Sequence, residues 1–223
     1  MPEATSPQVY QFKAILQGIT PMIWRRFTVP DTLPLPQLHM VLQTLMGWEN
    51  IHLYTFRIHG STYGSASGGA FLDIPIKQFR FQPKEKLLYT YDFSAFPRRT
   101  SWEIELRLEH ISTNVPAEKY ICCLEGARSG PLEDLGGPAG YRQWLLSRYS
   151  DEALKPLVRM AEVVDVILQQ TEGSIRDHID LDELQDLRDQ LDSWHEEDPE
   201  HFDLIEVNQD LQDWQNRWFS QQP

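Results

Sequence analysis

Cysteine is nearly absent. The chain of 223 residues has two, Cys122 and Cys123, and they are neighbours. Adjacent cysteines rarely bridge to each other, because the backbone geometry strains the bond. A disulfide framework and a CxxC pair are both excluded, so a reducing compartment is expected. Long hydrophobic runs are absent too: nothing approaches the ~20 apolar residues of a membrane span. The opening MPEATSPQVY has neither the basic nor the apolar region of a secretory signal. The expectation is a cytoplasmic protein with no membrane association. Short catalytic signatures are missing as well. There is no GxSxG, HExxH, GxGxxG or Walker sequence, which removes the readings those motifs carry.

Positive charge is scarce: 20 Lys and Arg stand against 33 Asp and Glu, for a net charge of −13. The deficit is local. Residues 1–150 hold 15 basic and 13 acidic side chains, a net of +2, and residues 151–223 hold 5 and 20, a net of −15. Such an asymmetry separates a near-neutral core domain, 1–150, from an acidic helical extension, 151–223. Nucleic acid is then a partner only for the core. A recombinase would need an arginine cluster around a nucleophile in a basic domain, and Arg25-Arg26 alone does not supply one.

What is present is a well-patterned fold. Hydrophobic residues make up 41% of the chain, with seven Trp and ten Phe, enough for a sizeable core. Val9–Gln17 alternates, with Tyr10, Phe12, Ala14 and Leu16 on the core face. Gly18 to Pro21 turns into a second strand, Met22–Val29, so a hairpin is expected. In that strand Arg25 shares a face with Ile23, Phe27 and Val29. If buried, it needs a carboxylate or several carbonyls as partners. Pro36 suits the first turn of a helix. Leu35, Leu38, Leu42 and Leu45 recur at helical spacing, with Val41 and Met46 beside them, and Gly47 is placed to cap the helix. Alternation resumes over His52–His59, Leu87–Phe93 and Trp102–Ile111.

Gly60–Gly69 reads as a flexible connecting loop. It lacks the Lys-Ser/Thr of a P-loop. Phe79–Pro83, with Lys77, Arg80, Lys84 and Lys86 around it, reads as an exposed loop edge. Its basic, aromatic-interleaved composition also fits a small nucleic-acid patch. Beyond Gly140 four helices are expected, over Tyr141–Arg148, Leu154–Gln170, Asp180–His195 and Val207–Phe219. Gly173 breaks the second from the third.

Several motifs stand in order: Trp24–Pro30 (WRRFTVP), Leu35–His39 (LPQLH) with Gln43 four residues later, Met46–Trp48 (MGW) and His52–Phe56 (HLYTF). Tyr89–Phe93 (YTYDF), Trp102–Glu109 (WEIELRLE), Cys123–Gly126 (CLEG), Pro131–Tyr141 (PLEDLGGPAGY) and His201–Leu211 (HFDLIEVNQDL) follow. This series resembles the plasmid pRiA4b ORF-3-like family over roughly residues 8–215. The resemblance implies an α+β fold on an antiparallel sheet and no settled activity. Some members carry transposon-passenger or resolvase-like labels, an association with mobile elements. The chain also departs from the family pattern. Ser94-Ala95 replaces Gly-Asp ahead of an insertion with Pro97, Arg98 and Arg99. Ile104 stands where relatives have histidine, Tyr54 where they often have the second histidine of His-Leu-His, and Arg128-Ser129-Gly130 where they often carry a cysteine.

The surviving candidate polar cluster is Arg25, Arg26, His39, His52, Asp92, Glu133 and Asp134. Each member has a plainer structural role. The histidines suit core hydrogen bonding. Asp92 suits a salt bridge to Arg25 or Arg26, and Glu133-Asp134 suits a charge pair at a helix N-terminus. No cofactor is expected, and a divalent ion on His39, His52 and Asp92 is the alternative. A second candidate surface is the acidic face of Asp182, Glu183, Asp186 and Asp189. The overall expectation is an α+β protein, with an antiparallel sheet packed by one helix in an α/β-roll-like core, and a helical acidic C-terminal region. Its expected function is a non-enzymatic interaction module whose acidic helices bind a basic partner. The alternative is a metal-assisted hydrolase or nucleic-acid-processing protein.

Overall fold

The structure, a computed structural model, describes residues 7–65, 73–92, 101–113, 115–116, 119–169, 180–196 and 198–220. Residues 1–6, the end of the Gly60–Gly69 segment, the insertion over 94–100 and the break at Gly173 lie outside them.

Seven antiparallel strands form one sheet: β1 (Val9–Leu16), β2 (Trp24–Pro30), β3 (Tyr54–Ile58), β4 (Ser61–Gly64), β5 (Lys86–Tyr91), β6 (Trp102–Ser112) and β7 (Cys122–Ala127). Their spatial order is β4-β3-β5-β6-β1-β2-β7. The β1–β2 hairpin pairs Phe12 with Phe27. Alternation does what the sequence implies. Tyr10, Phe12, Ala14 and Leu16, and likewise Ile104, Leu106 and Leu108, are buried on one face, and the residues between them line the other.

The helix α1 (Leu35–Met46) supplies the apolar counterpart to the buried face. Leu35, Leu38, Val41, Leu42, Leu45 and Met46 are all buried, each contributing about 1.5–3 kcal/mol. Gly47 ends the helix in the left-handed conformation (φ 71°), its N–H returning to Gln43 and Thr44 carbonyls.

Two strands depart from the sequence reading. Ser61–Gly64 is a strand paired with β3, where a loop was expected, because backbone pairing needs no apolar pattern. Cys122–Ala127 pairs with β2 across a bulge at Arg26/Phe27, which disrupts the alternation that would have marked it. In the Phe79–Pro83 patch, Phe81 is buried against Phe12, so its ring belongs to the core.

The C-terminal helices are α2 (Gly137–Arg148), α3 (Asp151–Gln169), α4 (Leu181–Glu196) and α5 (Leu204–Ser220). The chain forms two units, Met1–Tyr141 with Glu200–Pro223, and Arg142–Pro199. Leu211 and Trp214 of α5 are buried and α5 contacts β7 and α1, so the last helix belongs to the core unit. It also closes the outer edge of β7. The Cys123 N–H donates to Asn208 Oδ1 and Asn208 Nδ2 donates to the Cys123 carbonyl, both at 2.9 Å. Within the second unit, the Arg148 guanidinium lies 5.0 Å from the ring centres of Trp144 and Trp194. No helix among the described residues is long and apolar enough to cross a membrane.

Candidate functional site

The polar candidates separate into two places. Arg25 and Arg26 sit on adjacent positions of β2 and face opposite sides of the sheet. Arg25 is 2% exposed. Its Nε donates to the Leu45 carbonyl (2.9 Å), and its Nη1 donates to the carbonyls of Trp24 (2.9 Å) and Ala127 (3.1 Å). The Phe202 ring covers the guanidinium at 4.3 Å. Burial pulls its pKa down to about 10, with the Cys123 thiol opposing. Carbonyls, not a carboxylate, therefore solve the burial of this cation. Gly126 makes the room, since a Cβ there would meet Phe202 at 2.6 Å and Arg25 Cδ at 2.9 Å. Arg26 pairs with Glu109 (2.7 Å) and Glu125. An ion pair of either arginine with Asp92 is overturned, because Asp92 follows β5, three strands away from β2.

The other candidates gather where α1, the turn after it and the end of β5 meet. His39 is on the buried side of α1. Gln43 Nε2 donates to the Tyr89 hydroxyl (2.8 Å), and Tyr89 meets His39 Nδ1 (2.7 Å). His39 Nε2 meets Asn50 Oδ1 (2.6 Å), and the Asn50 N–H donates to Gln43 Oε1 (3.0 Å). The four residues close a ring of hydrogen bonds that has one consistent sense. Because Gln43 occupies the phenol oxygen as a donor, the phenol proton goes to Nδ1, and the imidazole is neutral with its proton on Nε2. Tyr54 stacks on it at 3.7 Å. Burial lowers the His39 pKa to about 4, against the Asn50 hydrogen bond and the charge of Glu133.

His52 lies one turn away. Its Nε2 is 2.7 Å from Asp134 Oδ1 and its Nδ1 is 3.4 Å from Asp92 Oδ1. The Asp92 side chain is 9% exposed and that of Asp134 is 73% exposed, so one carboxylate is fixed and the other faces water. Burial, helped by Asp134 and Glu133, raises the Asp92 pKa, and His52 opposes this. Asp92 and Asn50 both have left-handed backbones (φ 53° and 60°), a conformation Asn and Asp adopt more readily than other side chains.

Glu133 and Asp134 stand in the short 3-10 helix Glu133–Leu135, ahead of α2, whose own first turn holds no acidic residue. The Glu133 carboxylate accepts from the N–H groups of Glu49 (2.8 Å) and Ile51 (3.4 Å) and from the Tyr91 hydroxyl. Trp102 Nε1 donates to its carbonyl (2.9 Å) and Trp48 Nε1 to the carbonyl of Pro131 (2.9 Å). Burial raises the Tyr91 pKa, and Glu133 adds to it.

Beside these groups opens a cleft of about 360 Å³, lined among others by Gln37, His39, Met40, Asn50, His52 and Tyr54. Among the described residues, no group of three or more His, Cys, Asp or Glu side chains is placed to hold a metal ion. Both His39 nitrogens are engaged in hydrogen bonds, and Asp92 and Asp134 approach opposite ring nitrogens of His52. His39, His52 and Asp92 are thus not gathered into one such group.

The residues missed from the sequence are Gln43, Asn50, Tyr89 and Tyr91. A signal existed: His39 and Gln43 are four apart on the apolar stripe of α1, and Tyr89 and Tyr91 share the inward face of β5. Buried polar groups need partners.

The acidic candidates lie on α4, in the second unit. Glu183 accepts two hydrogen bonds from Arg159 (2.7 and 3.1 Å), and Asp189 accepts from Gln185 (2.8 Å). Asp182 and Asp186 are exposed. A groove of about 600 Å³ runs between α3 and α4, lined by Glu152, Pro156, Asp186, Asp189 and Trp194 among others.

Comparison with known proteins adds three findings. The family model of the plasmid pRiA4b ORF-3-like proteins matches residues 8–167, ending short of residue 215. An uncharacterized protein of Sinorhizobium fredii (strain NBRC 101917 / NGR234), y4hQ, is 33% identical over 144 residues, covering 61% of this chain and 71% of that protein. A crystal structure of a protein of unknown function from Methanosarcina mazei Go1, MM3350, is similar with a TM-score of 0.59 and 30% identity, covering 91% of this chain and 99% of that one.

Proposed function

This chain belongs to the plasmid pRiA4b ORF-3-like family, and from that premise we propose that it is a non-enzymatic interaction module whose acidic C-terminal helices bind a basic partner protein. One observation carries this: the groove between α3 and α4 joins the carboxylates of Glu152, Asp186 and Asp189 to the ring of Trp194 in a single concave surface. Carboxylates beside an aromatic ring suit lysine or arginine side chains, through charge and cation–π attraction. The polar cluster of the core supports the same reading. Its groups are turned on one another: His39 is closed into a ring of hydrogen bonds and Glu133 is spent on a turn.

The test is calorimetric titration of the whole protein with an arginine-rich peptide. Binding that weakens with salt, and that is lost in Asp186→Asn/Asp189→Asn, is the expected result. Undiminished binding by that variant overturns the proposal.

One observation favours a second reading, an acid–base enzyme. His52 reaches the cleft while the buried Asp92 stands at its other nitrogen, an arrangement that orients a general base. His52→Ala, assayed against panels of ester and phosphodiester substrates, decides it: turnover by the parent that the folded variant lacks supports it, and inert parent protein sinks it.

A further inference from the structure

The strand registers set four cations side by side. Lys86 of β5 lies opposite Arg107 of β6, Arg107 opposite Lys13 of β1, and Lys13 opposite Arg26 of β2. All four point away from the core, since their strand neighbours Leu87, Leu106, Leu108, Phe12, Ala14, Arg25 and Phe27 are buried. The row draws on positions far apart in sequence, so no linear motif announces it.

Directly opposed side chains in a sheet stand about 5 Å apart, and like charges there are destabilising. The two ends of the row are relieved. Lys86 pairs with Glu105 at 2.9 Å, and Arg26 with Glu109 and Glu125. The middle is relieved less. Lys13 lies over the Trp24 ring at 4.3 Å and shares the charge of Glu109 with Arg26. Arg107 is exposed and has no carboxylate partner among the described residues. Two opposed cations thus stand at the centre of the row, with one shared carboxylate between Lys13 and Arg26 and none engaged on Arg107 among the described residues.

The shape of the row selects its ligand. Three inter-strand steps of ~4.8 Å give a line of roughly 14 Å, too long for one phosphate group and suited to consecutive phosphates of an extended polymer. The carboxylates at the ends belong to surface pairs, worth about 0–1 kcal/mol each, so phosphates replace them at small cost. The next row on the same face runs Leu88, Glu105, Ile15, Trp24. Leu88, Ile15 and Trp24 place apolar and aromatic surface beside the cations, interrupted by Glu105, which is held by Lys86; single-strand binders offer such surface to bases.

We infer that this face binds a single nucleic-acid strand, with its phosphodiester backbone along Lys86, Arg107, Lys13 and Arg26 and its bases over Leu88, Ile15 and Trp24. The net of −15 over residues 151–223 opposes long-range attraction, so the contact is short-range and rests on the row.

The experiment is fluorescence anisotropy of a labelled oligothymidylate titrated with the whole chain at several salt concentrations. Saturable binding is expected, falling with salt. Arg107→Ala and Lys13→Ala should each weaken it several-fold and lower the log–log salt slope by about 0.7. Arg188→Ala, on α4, should leave it unchanged. Thermal midpoints of the two row variants at or above the parent's will show an intact fold, because each removes a like-charge contact. No binding at low salt, or binding that both row variants leave unchanged, overturns the inference. Displacement of the oligonucleotide by inorganic phosphate at equal phosphate concentration also overturns it, by reducing the row to a site for one phosphate.

Discussion

Tyr89 and His39, fifty residues apart in sequence, meet hydroxyl to Nδ1 at 2.7 Å inside the core. The contact in this hydrogen-bond sense needs a neutral imidazole, because Gln43 already donates to the phenol oxygen and the phenol proton has no other acceptor among the described residues.

Stability should therefore fall in acid. The folded pKa of His39 is held down at about 4, below its ordinary 6.5, so the unfolded chain binds the proton first. The contribution of His39 is complete above pH 6.5 and is lost as pH falls from 6.5 through 4, reaching about 3 kcal/mol. Urea midpoints measured across that window should drop for the parent and drop much less for His39→Gln. Equal slopes would assign the acid sensitivity to other groups.

Arg25→Met should cost about 3 kcal/mol, since it leaves the carbonyls of Leu45, Trp24 and Ala127 without their donor. Denaturant unfolding reads this directly. Arg25→Lys should fall between the two, because an ammonium cannot reproduce the planar spread of donors.

Tyr91→Phe should destabilise by about 1–2 kcal/mol. It removes the hydroxyl shared by Glu133 and the His52 N–H and loosens the turn that Glu133 holds. Faster amide exchange at Glu49, Ile51 and His52, with little change in β1 and β6, is the signature to look for.

The two thiols should resist alkylation while the protein is folded. Burial pushes the Cys123 pKa up to about 11 and raises that of Cys122, and it is the thiolate that reacts. Thiol titration at neutral pH should be slow in native buffer and rapid in denaturant. Rapid native reaction would mean that β7 opens readily.

The fold was legible wherever one face of an element is apolar. Phe12 to Leu16, Leu35 to Met46 and Ile104 to Leu108 announce their partners by period alone. Ser61–Gly64 does not, since a short edge strand of small and polar residues is specified by the backbone of its neighbour. The candidate site was half legible. The charged residues stand out in the sequence, and His52, Asp92, Glu133 and Asp134 do converge. The side chains that order the site are mostly uncharged, and Gln43, Asn50 and Tyr89 reveal their roles only through who faces whom. Arg25 meets carbonyls and Arg26 meets Glu109 and Glu125, not Asp92, because strand order, not sequence distance, decides which charges meet.

The clasp between Asn208 and Cys123 spans 85 positions of the chain. On a ribosome, the strand of Cys123 is made long before the helix that carries Asn208. Throughout that interval its outer rim offers unpaired peptide groups to any neighbouring nascent chain, a known invitation to mispairing. A segment made much later is thus the one that makes the sheet safe in company.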